Sequence, residues 1–279
     1  PILLFHSDIQ TFDRNLFNLF NSMPKLKHLW LTLSFDQLEP IELSVLSQLQ
    51  HFYLNIWSKH EEDDSLRWLA DSIPNNNSAV RDNARLQIAI GYGQWNLERS
   101  DDLFDAKLAN KFVQFEFDWE FNLEYAERFY CKFTSLTQVA INMEHISLFR
   151  LTNYLSPLKQ LIQLELYNEI HHRFAFYDEA RESPSQLESV KRLEFNLEMK
   201  RHSMFVHPDC NCWQLAFPNV ESIHIVTFPS SCSICGWEDI TKDNDDTIRA
   251  QCFRLLAKPF RVQCAKLNRL FVGECNLMI

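Results

Sequence analysis

Glycine is scarce in this sequence, and its scarcity excludes several kinds of nucleotide-binding site. The four glycines are Gly91, Gly93, Gly236 and Gly273. Loops that cradle phosphate need glycine, because only a backbone without a Cβ lets its N–H groups approach the ligand closely. Gly91 and Gly93 form the only close pair, and neither a P-loop nor a dinucleotide-binding fingerprint can be built around them. We therefore predict that the chain binds no cofactor.

Motifs of hydrolytic enzymes are also missing. The sequence contains no His-Glu-x-x-His, which places two zinc ligands on one helix face, and no Gly-x-Ser-x-Gly, which presents a nucleophilic serine. Asp and Glu are plentiful, at 37 residues, but no spacing singles out a catalytic carboxylate pair. We predict that the chain has no catalytic residues and is not an enzyme.

Positive charge and long apolar runs are both in short supply. Lys and Arg total 27 against 37 acidic residues, which gives a formal net charge of −10 and disfavours a nucleic-acid-binding surface. No apolar run approaches the ~18–20 residues of a membrane span. The opening run from Pro1 to Phe5 lacks the preceding basic segment of a signal peptide. We interpret it as the last strand of a repeat that begins upstream, so we expect the chain to be a fragment that lacks an N-terminal segment.

The cysteines indicate reduced thiols in a cytoplasmic or nuclear protein. The eight cysteines are unevenly spread, and a chain of this length does not need disulfides to stabilise its core. Cys210-x-Cys212 and Cys232-x-x-Cys235 have the pairwise spacing of a zinc site. However, the two pairs flank a predicted strand at 223–225, so they should leave it at opposite ends. We predict no metal ligands here, with zinc as the open alternative.

A short apolar pattern recurs along the whole chain. Its first clear copy has Leu26, Leu29, Leu31 and Leu33 at positions 1, 4, 6 and 8, which predicts a turn leading into a strand with one apolar side. The copies start at 26, 49, 83, 112, 136, 161, 190, 220 and 267, with Asn83 at the first position of the third unit. Each is followed by a helix-like or loop segment. We predict helical stretches at 7–23, 38–48, 103–110, 123–133, 146–158 and 247–260, and irregular insertions at 198–219 and 228–247. One such strand cannot bury its own face, so it needs neighbours of the same kind.

This pattern resembles the leucine-rich repeat family, whose core is Leu-x-x-Leu-x-Leu-x-x-Asn or Cys. The resemblance implies an α/β fold, namely a leucine-rich-repeat solenoid with a curved, parallel inner sheet and irregular helices and loops on the convex side. We expect a single domain over 1–279. The ninth position departs from the family pattern in every unit except the last, where it is Cys275.

That last unit, Leu267-x-x-Leu270-x-Val272-x-x-Cys275, resembles the cysteine-containing repeats of F-box/leucine-rich-repeat proteins. The resemblance implies a substrate-recognition module of an F-box-type ubiquitin ligase, whose ligase adaptor would dock on an upstream region outside this chain. The alternative is a scaffold or inhibitor that binds a protein through the concave face without any ligase.

The residues that alternate with the apolar ones should face away from the core and form two ladders. We predict that the partner-binding residues lie among them, with aromatic residues towards the N terminus and acidic ones in the middle. A partner with a basic segment would suit such a surface. The simpler alternative is a solvated acidic face with two incidental aromatics. The predicted binding residues are Trp30, Tyr53, Glu116, Asp118, Glu165, Tyr167, Glu194 and His224.

Overall fold

The fold is α/β, with parallel strands separated along the chain by short helices. The computed structural model describes residues 2–8, 14–35, 42–58, 65–73, 78–93, 103–117, 123–142, 148–167, 185–196, 215–225, 264–272 and 275–278. The strands are β1 (Ile2–Asp8), β2 (His28–Phe35), β3 (His51–Ser58), β4 (Gln87–Gly93), β5 (Phe112–Phe117), β6 (Gln138–Asn142), β7 (Gln163–Tyr167), β8 (Arg192–Asn196), β9 (Ser222–Ile225), β10 (Arg269–Val272) and β11 (Cys275–Met278).

The helices fall in the segments between the strands. They are Arg14–Asn21, Ser65–Ser72, Ser78–Asp82, Ala106–Ala109, Leu123–Lys132 and Leu148–Leu155, with a 3-10 helix at Ser44–Ser47. Predicted helical stretches at 7–23, 38–48, 103–110, 123–133 and 146–158 each contain one of these helices. The helix predicted at 247–260, the insertion at 228–247 and most of the insertion at 198–219 lie outside the described residues.

The chain divides into two compact units, residues 1–139 and 140–279, with β6 at the boundary. In the first unit, β1 to β5 pair in sequence order and all run parallel. In the second unit, β7 to β10 pair in sequence order and run parallel, and β11 pairs antiparallel with β10. The single domain expected over 1–279 stays a prediction.

The apolar alternation sets the register of the strands. In the first unit, Leu29 pairs with Phe52 and Leu31 with Leu54; these side chains are at most 2% exposed. A strand alternates its side chains between two faces, so a register that matches apolar rows puts every one of them into the core. Burial of each such side chain contributes roughly 1.5–3 kcal/mol. The predicted pattern is confirmed for these strands and for β7 to β10, where Leu164, Leu193, Ile223 and Leu270 are aligned.

The first position of the repeat lies in a turn that precedes the strand. The backbone N–H of Leu26, for example, donates to the carbonyl of Met23, three residues earlier. The side chain at this position is buried below the strand's own row, which explains the three-residue step into the strand. The same bond recurs at Leu86 to Asn83, Leu136 to Phe133, Leu161 to Leu158, Val190 to Leu187, Val220 to Phe217 and Leu267 to Cys264.

Phenylalanine fills the core of the first unit around β5. Phe112 and Phe115 on the strand meet Phe133 and Phe129 edge-to-face, with ring centroids 5.1 and 5.0 Å apart, and Phe104 packs edge-to-face on Phe112. Edge-to-face contacts add to the area that large rings bury. The helix Leu123–Lys132 and the turn after it bring Phe129 and Phe133 onto the strand, so this cluster fixes the helix against the sheet.

The predicted register of the third unit is wrong. We expected Asn83 at its first position, yet β3 and β4 pair Phe52 with Ile88, and it is Leu86 whose N–H closes the turn by bonding to the Asn83 carbonyl. Leu86 therefore holds the first position, one residue closer to its strand than in the neighbouring units. Asn83 falls where the other units carry a residue of the turn.

The predicted register of the fourth unit is wrong as well. Phe112 was expected in the turn and Phe115 at the start of the strand. In the structure, Ile88 pairs with Phe112 and Ile90 pairs with Phe115, so both phenylalanines belong to the sheet. The register shifts between these pairs because β5 contains the extra residue Val113. A bulge lets two residues oppose one, so two core positions lie three residues apart within a single strand.

A polar pair replaces two apolar positions at this place in the fold. Asn83 donates from Nδ2 to the carbonyls of Leu46 and Leu49 at 3.1 and 2.8 Å. Lys111, which is only 8% exposed, donates from Nζ to the Asn83 carbonyl at 2.7 Å. Burial lowers the pKa of Lys111 because the charged form loses hydration. These bonds join three successive repeat units.

The last unit departs from the turn expected after its strand. Cys275 begins β11 and pairs antiparallel with Val272, so the chain reverses in a hairpin. In the family pattern the cysteine at this position belongs to a turn, whereas here it is a strand residue. Among the described residues, no helix is both long and apolar enough to cross a membrane.

Candidate functional site

Each unit has a sheet face that points away from its core, and we call this the open face. In the first unit, Trp30 on β2 pairs with Tyr53 on β3, and Tyr53 pairs with Ala89 on β4. All three alternate with buried residues of their strands. The open face is therefore where the predicted ladders place the side chains that could contact a partner.

Trp30 and Tyr53 form an aromatic pair on the open face of the first unit. Their ring centroids are 4.1 Å apart and the rings are tilted by 44°. Trp30 is 46% exposed, whereas Tyr53 is half-buried. A large exposed aromatic side chain that is held against a second ring loses little conformational entropy when a partner covers it. Both predicted residues thus belong to one surface.

Tyr53 crosses over the neighbouring strand at Gly91. A Cβ atom on Gly91 would collide with the Tyr53 hydroxyl oxygen and with Oδ1 of Asn55. Gly91 is therefore the residue that admits these two side chains, and a larger residue would push them off the sheet. Asn55 also lies close enough to the phenol to lower its pKa, against the larger effect of burial.

One hydrogen-bond acceptor in this arrangement, the side-chain oxygen of Asn55, has no donor. Asn55 Oδ1 is closed off from solvent and has no hydrogen-bond partner within the described ranges. A buried acceptor without a donor is uncommon in folded proteins. It adds negative potential below the phenol.

Glu116 lies beside this arrangement and affects it electrostatically. Burial raises the pKa of the Tyr53 phenol, the Glu116 charge raises the pKa further, and the neighbouring Asn55 side chain opposes both. The phenol thus stays protonated at neutral pH and remains a hydrogen-bond donor. The edge of the aromatic pair next to β5 is negative, whereas Trp30 at the other edge is apolar.

Glu116 does not occupy the ladder position that the sequence predicted. We expected it in the row of Trp30 and Tyr53, but Ala89 pairs with Gln114 instead. The bulge at Val113 shifts the rest of β5, so Glu116 follows the Ile90–Phe115 pair. It alternates with the buried Phe115 and so still lies on the open face, beyond its predicted place.

The open face of the second unit has a different ladder. Glu165 pairs with Glu194, Glu194 with His224, and His224 with Phe271, as the sequence predicted. His224 Nδ1 lies 3.8 Å from Glu194 Oε1, and its ring meets Phe271 edge-to-face with centroids 5.8 Å apart. Two carboxylates, Glu165 and Glu194, thus lie on adjacent strands of this face.

Two predicted binding residues cannot be placed by their side chains. The backbone of Tyr167 pairs with Asn196 in β7 and β8, but its side chain lies outside the described residues. Asp118 lies outside them altogether. Their roles stay predictions.

The predicted ladders contained Asn55, but the predicted binding residues included neither Asn55 nor Gly91 nor the pair of His28 and His51. The two imidazoles are stacked at 4.8 Å with 15° between their planes, one row below Trp30 and Tyr53. A third ladder drawn one step earlier in each strand would have found them. The contact of Gly91 with Tyr53 depends on the register of β3 and β4, which the spacing placed wrongly.

The described cysteines are isolated from one another. Cys131 is exposed, Cys264 is buried, and both are free thiols. The candidate zinc ligands Cys210, Cys212, Cys232 and Cys235 lie outside the described residues. Within those ranges, no group of three His, Cys, Asp or Glu side chains could hold a metal ion.

The fold and these faces define an α/β protein with parallel strands, an exposed aromatic pair in one unit and an acidic ladder in the other. No protein-family model matches the chain, and no curated protein matches it. Its functional assignment therefore depends on the side chains described above.

Proposed function

We propose that this chain is a non-enzymatic protein-binding module of the leucine-rich-repeat type, which holds a partner against the open faces of its sheet. Two features support the repeat type. The turn before the strand recurs with the same backbone bond, and successive parallel strands align their apolar rows. A curved solenoid with the sheet on its concave side is the architecture that such units build.

The observation that carries the binding function is the exposed Trp30 ring packed on Tyr53. Core packing does not require an aromatic residue at a position that is 46% exposed. Exposed aromatics are typical of protein-binding surfaces, where Trp and Tyr contribute a large share of the affinity. The acidic ladder of Glu165 and Glu194 in the second unit adds a preference for a basic partner.

Two forms of this proposal differ in what lies upstream. As the substrate receptor of an F-box-type ubiquitin ligase, the module would capture a target while an upstream segment docks on the ligase adaptor. As a scaffold or inhibitor, it would bind its partner alone. The resemblance of the last repeat supports the ligase form, whereas the hairpin at Cys275 is a departure from that resemblance.

The test is affinity capture of the full-length endogenous protein, with mass spectrometry of the proteins that co-purify. A ligase adaptor and a cullin in the eluate would support the receptor form. A single stoichiometric partner without them would favour the scaffold or inhibitor form.

Variants then show whether the open faces bind that partner. We expect Trp30→Ala with Tyr53→Ala, and separately Glu116, Glu165 and Glu194 changed to Lys, to reduce capture at least tenfold while circular dichroism stays unchanged. Leu19→Ala is the matched control, because Leu19 is 50% exposed on a helix. Unchanged capture by both sets of variants would rule out the open faces as the binding surface.

A further inference from the structure

We infer that the aromatic track, meaning Trp30 and Tyr53 together with Gly91 and Glu116, is a subsite for an arginine side chain of the partner. This inference rests on the proposed function and names the residue that the partner presents to the first unit. The track is apolar and aromatic at one end and carries a carboxylate at the other. An arginine side chain matches this order, because its apolar stem leads to a flat cationic head.

The track crosses four strands. Trp30 on β2 packs on the Tyr53 ring at 4.1 Å, and the ring extends from β3 so that its hydroxyl lies over Gly91 on β4. Glu116 follows on β5, the next parallel strand. The Glu116 charge acts on the Tyr53 phenol and raises its pKa, so a cationic head group placed at the phenol would lie within reach of the same carboxylate.

The cationic character of the occupant follows from the charges that surround the track. Glu116 supplies the formal charge, Asn55 Oδ1 lies without a donor below the phenol, and the whole chain carries a formal net charge of −10. The ring faces of Trp30 and Tyr53 are themselves negative because of their quadrupoles. A phosphate or a carboxylate ligand would be repelled by the same groups.

The choice of arginine over lysine follows from shape. Guanidinium is planar, stacks on aromatic faces and is weakly hydrated, whereas ammonium is compact and strongly hydrated. Trp30 is 46% exposed, so part of its ring surface is available for a planar group to stack on. The apolar stem of arginine can cover that ring while its head donates towards Glu116.

Gly91 keeps the track flat. Because a Cβ there would displace both Tyr53 and Asn55, alanine would lift the phenol and break the surface on which the guanidinium stacks. Gly91 is thus a positioning residue, and its effect should appear in the preference for arginine more than in charge-driven binding.

The experiment uses three fluorescein-labelled hexapeptides that alternate glycine with arginine, lysine or citrulline, and the whole chain. Fluorescence anisotropy at about 150 mM salt, where exposed charges are screened beyond ~8 Å, gives the dissociation constants. We expect the arginine peptide to bind about fivefold more tightly than the lysine peptide, which is the effect of a single exposed cation–π contact. Citrulline keeps the planar shape without the charge and should bind most weakly.

Substitutions assign the preference to the track. Trp30→Ala should bring the arginine peptide down to the affinity of the lysine peptide, and Glu116→Gln should weaken both peptides. Gly91→Ala should reduce the ratio of the two affinities. Gln87→Ala, an exposed change on the same face, is the control that should alter neither constant. If Gly91→Ala does not fold, Trp30→Ala decides.

Equal binding of the arginine and lysine peptides, or a preference that persists in Trp30→Ala, would overturn the subsite. These outcomes test the arginine subsite separately from the proposed function. If Trp30→Ala loses the captured partner while the peptides show no arginine preference, the open face binds a partner through other chemistry. If capture of the partner survives all open-face variants, the proposed function itself is wrong.

Discussion

The open faces of the two units differ although their cores follow one pattern. In the first unit the exposed positions hold the Trp30–Tyr53 pair, and in the second they hold Glu165, Glu194 and His224 in adjacent strands. The apolar residues between them are aligned and buried in both units. The core alternation thus determines the scaffold, while the intervening positions are free to carry different binding chemistry. Aromatic contacts and charge contacts respond differently to salt, so the two faces can be separated by experiment.

The largest expected effect comes from a charge placed in the core of one unit. Leu193 is 1% exposed and lies between Leu164 and Ile223 in the sheet. Leu193→Asp should destabilise the second unit by more than about 4 kcal/mol, because it buries a carboxylate without a partner. Hydrogen exchange of the whole chain should show lost protection in β7 to β9.

The same measurement asks whether the two units unfold separately. If they do, β2 and β3 of the first unit keep their protection in Leu193→Asp, as the proposed repeat architecture predicts. The control is Arg192→Asp, which places the same carboxylate at an exposed neighbouring position. Full protection in Leu193→Asp would contradict the register of β8.

We expect a smaller loss of stability when a side-chain hydrogen bond between neighbouring repeats is removed, and we expect the loss to differ between the two units. Asn83 donates to two backbone carbonyls in the first unit, whereas Asn219 donates in the second to the carbonyl of Glu188 at an exposed site. We expect Asn83→Ala to cost about 2–3 kcal/mol and Asn219→Ala less than about 1 kcal/mol, since an exposed carbonyl is satisfied by water. Urea unfolding midpoints check both values, and a larger loss for Asn219→Ala would reverse this comparison.

The sequence was sufficient to predict the second-unit ladder but not all of the first. The apolar rows of β7 to β10 contain no insertion within a strand, so the spacing placed Glu165, Glu194 and His224 correctly. In β5, the step from Phe112 to Phe115 has the same length as the step from the turn into a strand, such as Leu26 to Leu29. Spacing alone cannot distinguish a bulged strand from a turn followed by a strand, because both bring two residues three apart into the core.

The contact of Gly91 with Tyr53 and Asn55 at the centre of the aromatic track could not be predicted from the spacing, for a related reason. In the sequence, Gly91 stands out only as one of four glycines, and no phosphate-binding loop can be built around it. Its contact with Tyr53 and Asn55 depends on how β3 and β4 are aligned, and a shift of two residues would have placed Gly91 far from both. Cross-strand contacts are set by register, and the register here was the part of the pattern that failed.

The smallest expected effect compares two thiols. Cys131 in the first unit is exposed and Cys264 in the second is buried, where burial raises the pKa of its thiol to about 11. Because the thiolate is the reactive form, iodoacetamide at about pH 8 should label Cys131 at least tenfold faster than Cys264, as peptide mass spectrometry can measure. In urea the two rates should converge, and equal rates in the native protein would contradict the burial of Cys264.

The raised pKa of the Cys264 thiol also makes the stability of the folded protein depend on pH in the alkaline range. The unfolded thiol ionises near 9.0, so the contribution of Cys264 to stability is complete below that pH and is lost as the pH rises towards 11. In Cys264→Ala, which keeps a small apolar side chain there, this part of the alkaline loss of stability should disappear.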